Sequence, residues 1–271
     1  MTMTFKHIAL TSLAALGLLA CNSQEVVAPQ PDNFLTSLKA DYPVSFAKIS
    51  EDIWVHTTNY TLPGQSPISS NGLVVKDGED IILVDGAWGE LATVALLETI
   101  KDEIGAPVTK MIITHHHADR IAGVDAVERE GIEVFTHADT PALAARHGHP
   151  VPNTSVASLK APQARSKIGN LEIAFPGHAH APDNIIVYVP NANILYMGCA
   201  LRGAEATSLG NLSDANIKTW PTALNWTKST YRDAKIVVPG HGKGGDLSLI
   251  DKTLKMLAEK VNSESEEAKT P

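Results

Sequence analysis

Apolar and polar positions alternate with two different periods along most of the chain. Short apolar runs bounded by Gly, Asn, Asp or Pro predict strands, and longer segments with apolar residues three or four apart predict amphipathic helices. The predicted strands are Ile53–Thr57, Gly72–Lys76, Ile81–Val84, Lys110–Thr114, Ile132–Thr136, Leu171–Phe175, Ile185–Val189, Ile194–Met197 and Lys235–Val238. The predicted helices are Ala87–Ile104, Ile121–Glu130, Pro141–His147, Asp214–Tyr231 and Leu247–Val261. This alternation predicts an α/β protein.

Two similar hairpins suggest that the chain has two related halves. One follows Asn71 and the other follows Asn184, and each consists of an apolar run, a turn and a second apolar run. The repeat favours sheets inside and helices outside. Between the halves, residues 148–169 are rich in Pro and small polar residues and predict a long connection.

The first 20 residues have the pattern of a secretion signal. Lys6 precedes an apolar run over residues 8–20, which is too short to cross a bilayer because that requires about 20 residues. The run ends in Leu-Leu-Ala-Cys, which resembles the bacterial lipobox, so we expect cleavage before Cys21 and lipidation of its thiol. Asn22 then favours sorting to the outer membrane. The alternative is cleavage by ordinary signal peptidase, with Cys21 incidental.

These patterns divide the chain into four segments. We expect a lipoprotein signal peptide at 1–20, a lipidated Cys and tether at 21–43, the folded domain at 44–262 and a flexible tail at 263–271. The protein would then lie in the periplasm, and the lipid on Cys21 would be its only attachment to the membrane.

Composition and charge narrow the function. The 271 residues carry a formal net charge of -8, which argues against nucleic acid as a partner because that requires a basic surface. The chain has 11 His and 2 Cys. Two Cys cannot form a disulfide framework, and Cys199 is the only free thiol if Cys21 is lipidated. The many His residues therefore raise the question of a metal site.

A His-rich turn follows the predicted strand Lys110–Thr114. His115, His117 and Asp119 are spaced two residues apart, so their side chains can point the same way from an extended segment. Imidazole and carboxylate groups suit zinc. Three further candidates lie at strand ends: His180, Cys199 and His241. Because a structural zinc is closed by four ligands, six candidates predict two metals in one pocket, with open positions for water and substrate.

Residues 44–262 resemble the metallo-β-lactamases of subclass B1. The matching segments are His115-x-His117-x-Asp119-Arg120, His180-x-x-Asp183-Asn184, Gly198-Cys199, Gly210-Asn211-Leu212 and Pro239-Gly240-His241-Gly242. The resemblance implies a first Zn²⁺ on His115, His117 and His180. It implies a second Zn²⁺ on Asp119, Cys199 and His241. It also implies a four-layer αββα sandwich of two mixed β-sheets with helices on the outer faces, and a site at one edge between the sheets.

The implied activity is zinc-dependent hydrolysis of the β-lactam amide bond in penicillins, cephalosporins and carbapenems, which confers antibiotic resistance. Two positions favour this subclass within a superfamily that also contains thioesterases, lactonases and phosphodiesterases. Arg120 stands where many of those relatives have His, and Cys199 stands where many have a bridging Asp. The alternatives are a dizinc hydrolase that acts on a lactone or thioester, and a zinc-buffering lipoprotein without turnover.

The resemblance also implies roles in catalysis and substrate binding. Asp119 would orient the attacking hydroxide, and Asn211 would help to hold the carbonyl oxygen. Arg202, where relatives commonly have Lys, would bind the substrate carboxylate through its guanidinium group. The alternative for Arg202 is a surface ion pair with Glu205.

Further residues would surround the site without binding metal. Residues 59–70, including Tyr60 and Leu62, are expected to form a mobile flap over the substrate. Asp85 and Arg120 are expected to orient the ligands.

The other His residues receive simpler interpretations. His116 is expected to point away from the metals, and His178 is the less favoured alternative to His180. His147 and His149 are expected on a solvated loop, and His56 and His137 have no partner pattern. We expect a monomer.

Overall fold

The computed structural model describes residues 31–64 and 66–267. The predicted signal peptide and the candidate lipidation residue Cys21 lie outside these residues, as do the first part of the predicted tether and the end of the predicted tail. Within the described residues, no helix is both long enough and apolar enough to cross a membrane.

The strands in the described part of the chain form two mixed sheets. The first sheet, in spatial order, consists of β1 (Ser45–Ser50), β2 (Ile53–Tyr60), β3 (Ile68–Asp77), β4 (Asp80–Val84), β5 (Val108–Ile112) and β6 (Glu133–Phe135). The second consists of β7 (Ala164–Ile168), β8 (Leu171–Phe175), β9 (Ile186–Val189), β10 (Ile194–Gly198) and β11 (Ile236–Pro239), with β11 and β7 at its edges. The pairs β4–β5, β5–β6 and β10–β11 are parallel and the other pairs are antiparallel.

The helices cover the outer faces of both sheets. They are α1 (Pro31–Asp41), α2 (Glu90–Ile104), α3 (Ala118–Ile121), α4 (Val124–Arg129), α5 (Thr140–His147), α6 (Trp220–Thr230) and α7 (Ser248–Glu267). Leu96 of α2 and Val127 of α4 belong to the core on the outer face of the first sheet. Trp220 of α6 and Leu257 of α7 belong to the core on the outer face of the second sheet. The helices thus form the two outer layers.

A third core fills the space between the sheets. Leu73 and Val84 of the first sheet and Val187 and Tyr196 of the second are among its buried members. Val74, next to Leu73, belongs to the core beneath the helices instead. Strands with both faces buried have nearly continuous apolar sequences, which is why these runs could be recognised in the sequence. The predicted αββα sandwich is confirmed.

The predicted helix Ile121–Glu130 is wrong as a single element. The structure has two short helices here, α3 and α4, which are separated around Gly123. A Cβ atom on Gly123 would lie 1.9 Å from Oγ1 of Thr93, so only glycine allows this segment to approach α2 so closely. Apolar periodicity runs through both helices and therefore does not reveal the break.

The predicted helix Asp214–Tyr231 begins later than expected, at Trp220. The preceding residues form turns in which Oδ1 of Asn216 accepts hydrogen bonds from the backbone N–H groups of Lys218 and Thr219. An Asn side chain that binds the backbone in this way competes with helix formation. The loop before α6 is thereby left free to border the site.

Three segments that were predicted to be irregular are ordered. Residues 164–168 of the predicted connection form β7, an edge strand whose polar sequence lacks an apolar run. Residues 31–41 of the predicted tether form α1, which places Leu38 in a buried position and pairs Lys39 with Asp102 of α2. The predicted tail is helical as far as Glu267.

Candidate metal centre

The six predicted ligands lie at one edge of the sandwich, between the two sheets. They follow the ends of four strands: His115 and His117 after β5, Asp119 in the first turn of α3, His180 after β8, Cys199 after β10 and His241 after β11. Because β10 and β11 are parallel, their carboxyl ends meet at the same edge. A Cβ atom on Gly240 would lie 2.6 Å from Nη2 of Arg120 and 2.8 Å from the carbonyl carbon of Gly198, so this approach requires glycine.

The first ligand group consists of three imidazole rings. Nδ1 of His117 lies 3.1 Å from Nε2 of His180. The centroid of the His115 ring lies 4.7 Å from that of His117 and 5.1 Å from that of His180. Nε2 of His115 is buried and has no hydrogen-bond partner among the described residues. A shared cation would satisfy these ring nitrogens.

Hydrogen bonds on the other nitrogens assign the tautomers of two of these rings. Nδ1 of His115 donates to Oγ1 of Thr114 at 3.2 Å, and that hydroxyl donates to Oδ2 of Asp85 at 2.8 Å. Nε2 of His117 donates to Oδ2 of Asp214 at 2.9 Å. The nitrogens that remain as acceptors, Nε2 of His115 and Nδ1 of His117, are those needed for metal binding. Asp85 thus acts on His115 through Thr114.

The second ligand group consists of Asp119, Cys199 and His241. Oδ2 of Asp119 lies 3.0 Å from Nε2 of His241 and 3.5 Å from Sγ of Cys199. Nδ1 of His241 donates to the backbone oxygen of Ser69 at 2.7 Å, and this bond fixes the orientation of the ring. Cys199 is a buried free cysteine. The three donor atoms lie within 4.8 Å of one another.

Arg120 is fully buried behind the second group. Its Nη1 donates to the backbone oxygen of Asn71 at 2.6 Å, and its Nη2 donates to the backbone oxygen of Gly240 at 2.9 Å. Nη2 also lies 3.0 Å from Oδ2 of Asp119 and 3.1 Å from Sγ of Cys199. Since Nη2 also lies 3.3 Å from Nε2 of His241, a single guanidinium contacts all three candidate ligands and joins them to the backbone of β3 and of the turn after β11.

The two groups differ in their electrostatics. Burial lowers the pKa of His180 to about 3 and that of His115 well below its usual value, so both rings are neutral at pH 7, as metal binding requires. Burial alone would also lower the pKa of His241, but Cys199 and Asp119 raise it to about 10. Burial would raise the pKa of Asp119, but Arg120 holds it well below its usual range. The second group therefore attracts a positive charge, which a divalent cation supplies.

The donors of both groups fit zinc. The first offers three imidazole nitrogens, and the second offers a carboxylate, a thiol and an imidazole, which are the ligand types that zinc takes in proteins. The donor atoms of His115, His180 and Cys199 also lie within 4.8 Å of one another, so the two groups adjoin. With three protein ligands each, both groups leave room for a further ligand.

A cavity of about 510 Å³ opens over the two groups. Arg202 and Asn211 line it, as expected for residues that bind substrate. The Nε group of Arg202 donates to the backbone oxygen of Ser208 at 3.0 Å, so the guanidinium is held beside the cavity by the backbone rather than by the predicted alternative partner, Glu205.

The flap prediction needs a correction at Tyr60 and Leu62, whereas Ile68, also a member of the predicted flap, does line the cavity. Within residues 31–64 and 66–267, the cavity wall on this side is formed by Ile68 and Trp88, and neither Tyr60 nor Leu62 belongs to it. The ring of Tyr60 instead stacks on that of Trp88, with the centroids 4.7 Å apart. Trp88 was not recognised in the sequence because it follows β4, far along the chain from the flap.

Several other residues near the site were missed or misjudged. Asp214 was predicted only as the start of a helix, but it holds His117. In the sequence, the only indication of this role was the position of the acidic residue Asp214 shortly after Asn211, a predicted substrate-binding residue. His147 is the last residue of α5 rather than a loop residue, whereas His149 lies on the loop as predicted; His147 is exposed, and both residues also line the cavity.

The remaining predicted alternatives can be placed as well. Nε2 of His178 donates to the backbone oxygen of Asp214 at 2.7 Å, so His178 is held apart from the first group and His180 is the ring that joins it. Nδ1 of His116 donates to Oδ1 of Asp183 at 2.9 Å, and the His116 ring lies with its centroid 4.6 Å from that of His117.

Comparison with protein families gives a match over most of the described domain. The model of the family described as "Metallo-beta-lactamase superfamily" matches residues 66–241. A metallo-beta-lactamase type 2 from Bacillus sp. (strain 170) is 37% identical over 79% of this chain and 82% of the relative. A protein of the same name from Bacteroides fragilis is 31% identical over 84% of this chain and 91% of the relative.

Solved structures with the same architecture carry similar names. A metallo-beta-lactamase from Pontibacter korlensis has 38% sequence identity and a TM-score of 0.73, and the match covers 79% of this chain and 99% of that protein. A metallo beta lactamase from Hirschia baltica has 33% identity and a TM-score of 0.76, over 79% of this chain and 98% of that protein.

Proposed function

Because the chain belongs to the metallo-beta-lactamase superfamily, we propose that it is a zinc-dependent β-lactamase of subclass B1. It would hydrolyse the amide bond of penicillins, cephalosporins and carbapenems and so confer resistance to them. The observation that carries the proposal is the pair of adjoining ligand groups beneath a cavity that Arg202 and Asn211 also line. The presence of Cys199 and Arg120 supports the subclass.

Different residues of the chain would have different roles in hydrolysis. Two zinc ions, held by the two ligand groups, would supply hydroxide at neutral pH and Lewis acidity toward the lactam. The Asp119 carboxylate lines the cavity, where it would accept a hydrogen bond from the attacking water and orient it. Asn211 would donate its amide N–H to the carbonyl oxygen as negative charge develops there.

Arg202 would bind the carboxylate that β-lactams carry. Its guanidinium packs against Gly210, at which a Cβ atom would lie 2.9 Å from Nη1. Burial lowers the pKa of Arg202 from its usual value, yet a guanidinium remains charged at neutral pH. The planar group can form two parallel hydrogen bonds to a carboxylate, which favours substrates that present this anion at a fixed angle.

The central test compares two His residues of the same loop. Purified mature protein should hydrolyse a carbapenem and a cephalosporin, lose this activity in excess chelator and regain it with zinc. His180→Ala should abolish hydrolysis because it removes a ligand of the first group. His178→Ala is the matched control and should retain activity, since the His178 side chain bonds to the Asp214 backbone and is not one of the six ligands.

Three outcomes would contradict parts of the proposal. Activity that persists in excess chelator would exclude the metal mechanism. Turnover of a neutral lactone or a thioester, with no turnover of any β-lactam, would instead assign the same centre to the alternative hydrolase class. Equal losses in His180→Ala and His178→Ala would contradict the ligand assignment.

The cellular placement is a separate part of the proposal. The protein would be a periplasmic lipoprotein, anchored to the outer membrane through Cys21 and monomeric in solution. The sequence before Cys21 supports the anchor. Labelling with a radioactive fatty acid should mark the wild-type protein and not Cys21→Ala, which should fractionate with the soluble periplasm. Labelling of the variant would contradict the anchor, and sedimentation of the variant as a dimer would contradict the monomer.

A further inference from the structure

A second cluster of potential metal ligands lies beside the first ligand group. His116, His147 and Asp214 each offer a donor atom, and these atoms lie within 4.8 Å of one another. None of the three belongs to the six residues of the two ligand groups. They come from the turn after β5, the end of α5 and the loop before α6.

The strongest indication of a ligand is an unpartnered nitrogen on His116. The ring is fully buried, and its Nδ1 donates a hydrogen bond to Oδ1 of Asp183. The other oxygen of that carboxylate, Oδ2, accepts a hydrogen bond from the Thr140 hydroxyl at 2.8 Å. This fixes Nε2 as the acceptor, and Nε2 has no hydrogen-bond partner in the part of the chain that the structure describes. A buried ring nitrogen without a partner is costly unless a cation or water occupies the space in front of it. The same arrangement holds at His115 in the first group.

The other two members leave a gap that suits a cation. The centroid of the His147 ring lies 4.7 Å from that of His116. Nε2 of His147 lies 3.8 Å from Oδ1 of Asp214, which is too long for a hydrogen bond. Two tetrahedral ligands of one zinc ion, each about 2 Å from it, lie about 3.3 Å apart, so a small movement of the exposed His147 side chain would bring both atoms to one ion. Two imidazoles and one carboxylate are donors that zinc accepts.

We propose that His116, His147 and Asp214 form a third site for a divalent transition-metal cation of the zinc type. Oδ2 of Asp214 accepts the hydrogen bond from His117, and Oδ1 faces His147, so Asp214 joins this site to the first ligand group. The cavity, which His147 and Asp214 both line, leaves water to complete the coordination.

The shared carboxylate gives the third site a consequence for turnover, and this consequence rests on the proposed function. A cation on Oδ1 withdraws negative charge from Asp214 and weakens the hydrogen bond that Oδ2 accepts from His117. His117 then becomes a poorer ligand. Excess zinc should therefore lower the rate of hydrolysis in the wild-type protein and have a smaller effect where the third site has been removed.

The test counts bound cations and needs no substrate. The mature wild-type protein, His147→Ala and His149→Ala are dialysed against rising concentrations of free zinc, and the bound metal is measured by mass spectrometry. His147 is partly exposed and is not one of the six ligands, so its replacement keeps all the side chains of the two ligand groups. His149 is the matched control because its ring is near that of His147 and lines the same cavity, yet it is not part of the cluster.

We expect the wild-type protein and His149→Ala to saturate at three zinc ions per chain, and His147→Ala at two. Saturation of the wild-type protein at two, or equal numbers in the wild-type protein and His147→Ala, would overturn the third site. Loss of the extra ion in His149→Ala as well as in His147→Ala would overturn its assignment to this cluster. A chain that binds three ions but cleaves no β-lactam would contradict the proposed function alone.

Discussion

The two ligand groups adjoin each other but are stabilised in opposite ways. In the first group, burial lowers the pKa values of His115 and His180, and the orienting hydrogen bonds pass outward through Thr114 and Asp214. The second contains acidic ligands that surround the buried cation of Arg120. When no metal is bound, neutral donor groups do not repel one another. Anionic donors need a permanent countercharge, and Arg120 supplies it.

Because of this difference, a substitution beside one group should weaken metal binding at that group and not at the other. Changes near Arg120 should affect the second group and the folded state together, because the same side chain also binds the backbone oxygens of Asn71 and Gly240. Changes near Thr114 should affect only the first group. Three substitutions test this contrast, in order of decreasing effect.

Arg120→Ala should have the largest effect. It leaves the buried Asp119 carboxylate without its countercharge, and removing one partner of a buried ion pair costs on the order of 3–5 kcal/mol. Denaturant unfolding of the zinc-free protein should show this loss of stability, and the variant should also bind less zinc at the second group. Arg129→Ala is the matched control, because it removes an exposed Arg that pairs with Glu90 and should leave the unfolding midpoint nearly unchanged. Equal midpoints for the two variants would contradict the contrast.

Cys199→Ser should have the next largest effect, confined to the second group. Serine keeps the size of the side chain but replaces the thiolate with a hydroxyl, which is a much poorer zinc ligand. The affinity of this group should fall by more than about a hundredfold, beyond the range for changes outside the ligand shell. Cobalt can report this directly, since the thiolate-to-cobalt absorption should vanish while cobalt bound to the three imidazoles remains. Simultaneous loss of both cobalt ions would show that the groups do not fail separately.

Thr114→Val should have the smallest effect, confined to the first group. Valine keeps the shape of threonine but removes the hydroxyl that links His115 to Asp85, so the affinity of the first group should fall about tenfold. Thr227→Val is the control, because Thr227 is also buried but bonds only to the backbone of α6. Metal competition with a chromogenic chelator measures both variants. A weakening equal to that of the control would remove the role assigned to Thr114.

Much of the fold could be predicted because its central strands are buried on both faces. β4, β8 and β10 are apolar at nearly every position, and a buried strand requires this. The edge strand β7 was missed because its sequence, Ala-Arg-Ser-Lys-Ile, presents polar side chains to solvent. Its position depends on pairing with β8, which no local pattern reports.

The candidate site shows the same division between local and long-range information. His115, His117 and Asp119 could be grouped because they are neighbours in the sequence. The other three ligands could be predicted because each follows the end of a predicted strand. His147 could not be assigned to the site, since its position depends on how α5 packs beside the turn after β5. The contact between Tyr60 and Trp88 was likewise beyond prediction because it joins two loops that are distant along the chain.

The close packing at Gly240 and the hydrogen bonds of Arg120 have a consequence for the order of folding and metal binding. Each ligand group takes residues from both halves of the chain: His180 completes the group begun by His115 and His117, and Cys199 with His241 completes the group begun by Asp119. A growing chain that has made only its N-terminal half therefore offers no complete group. Zinc bound at these groups would therefore be retained only after both halves have folded, and the free energy of metal binding would be added to that of docking the two sheets.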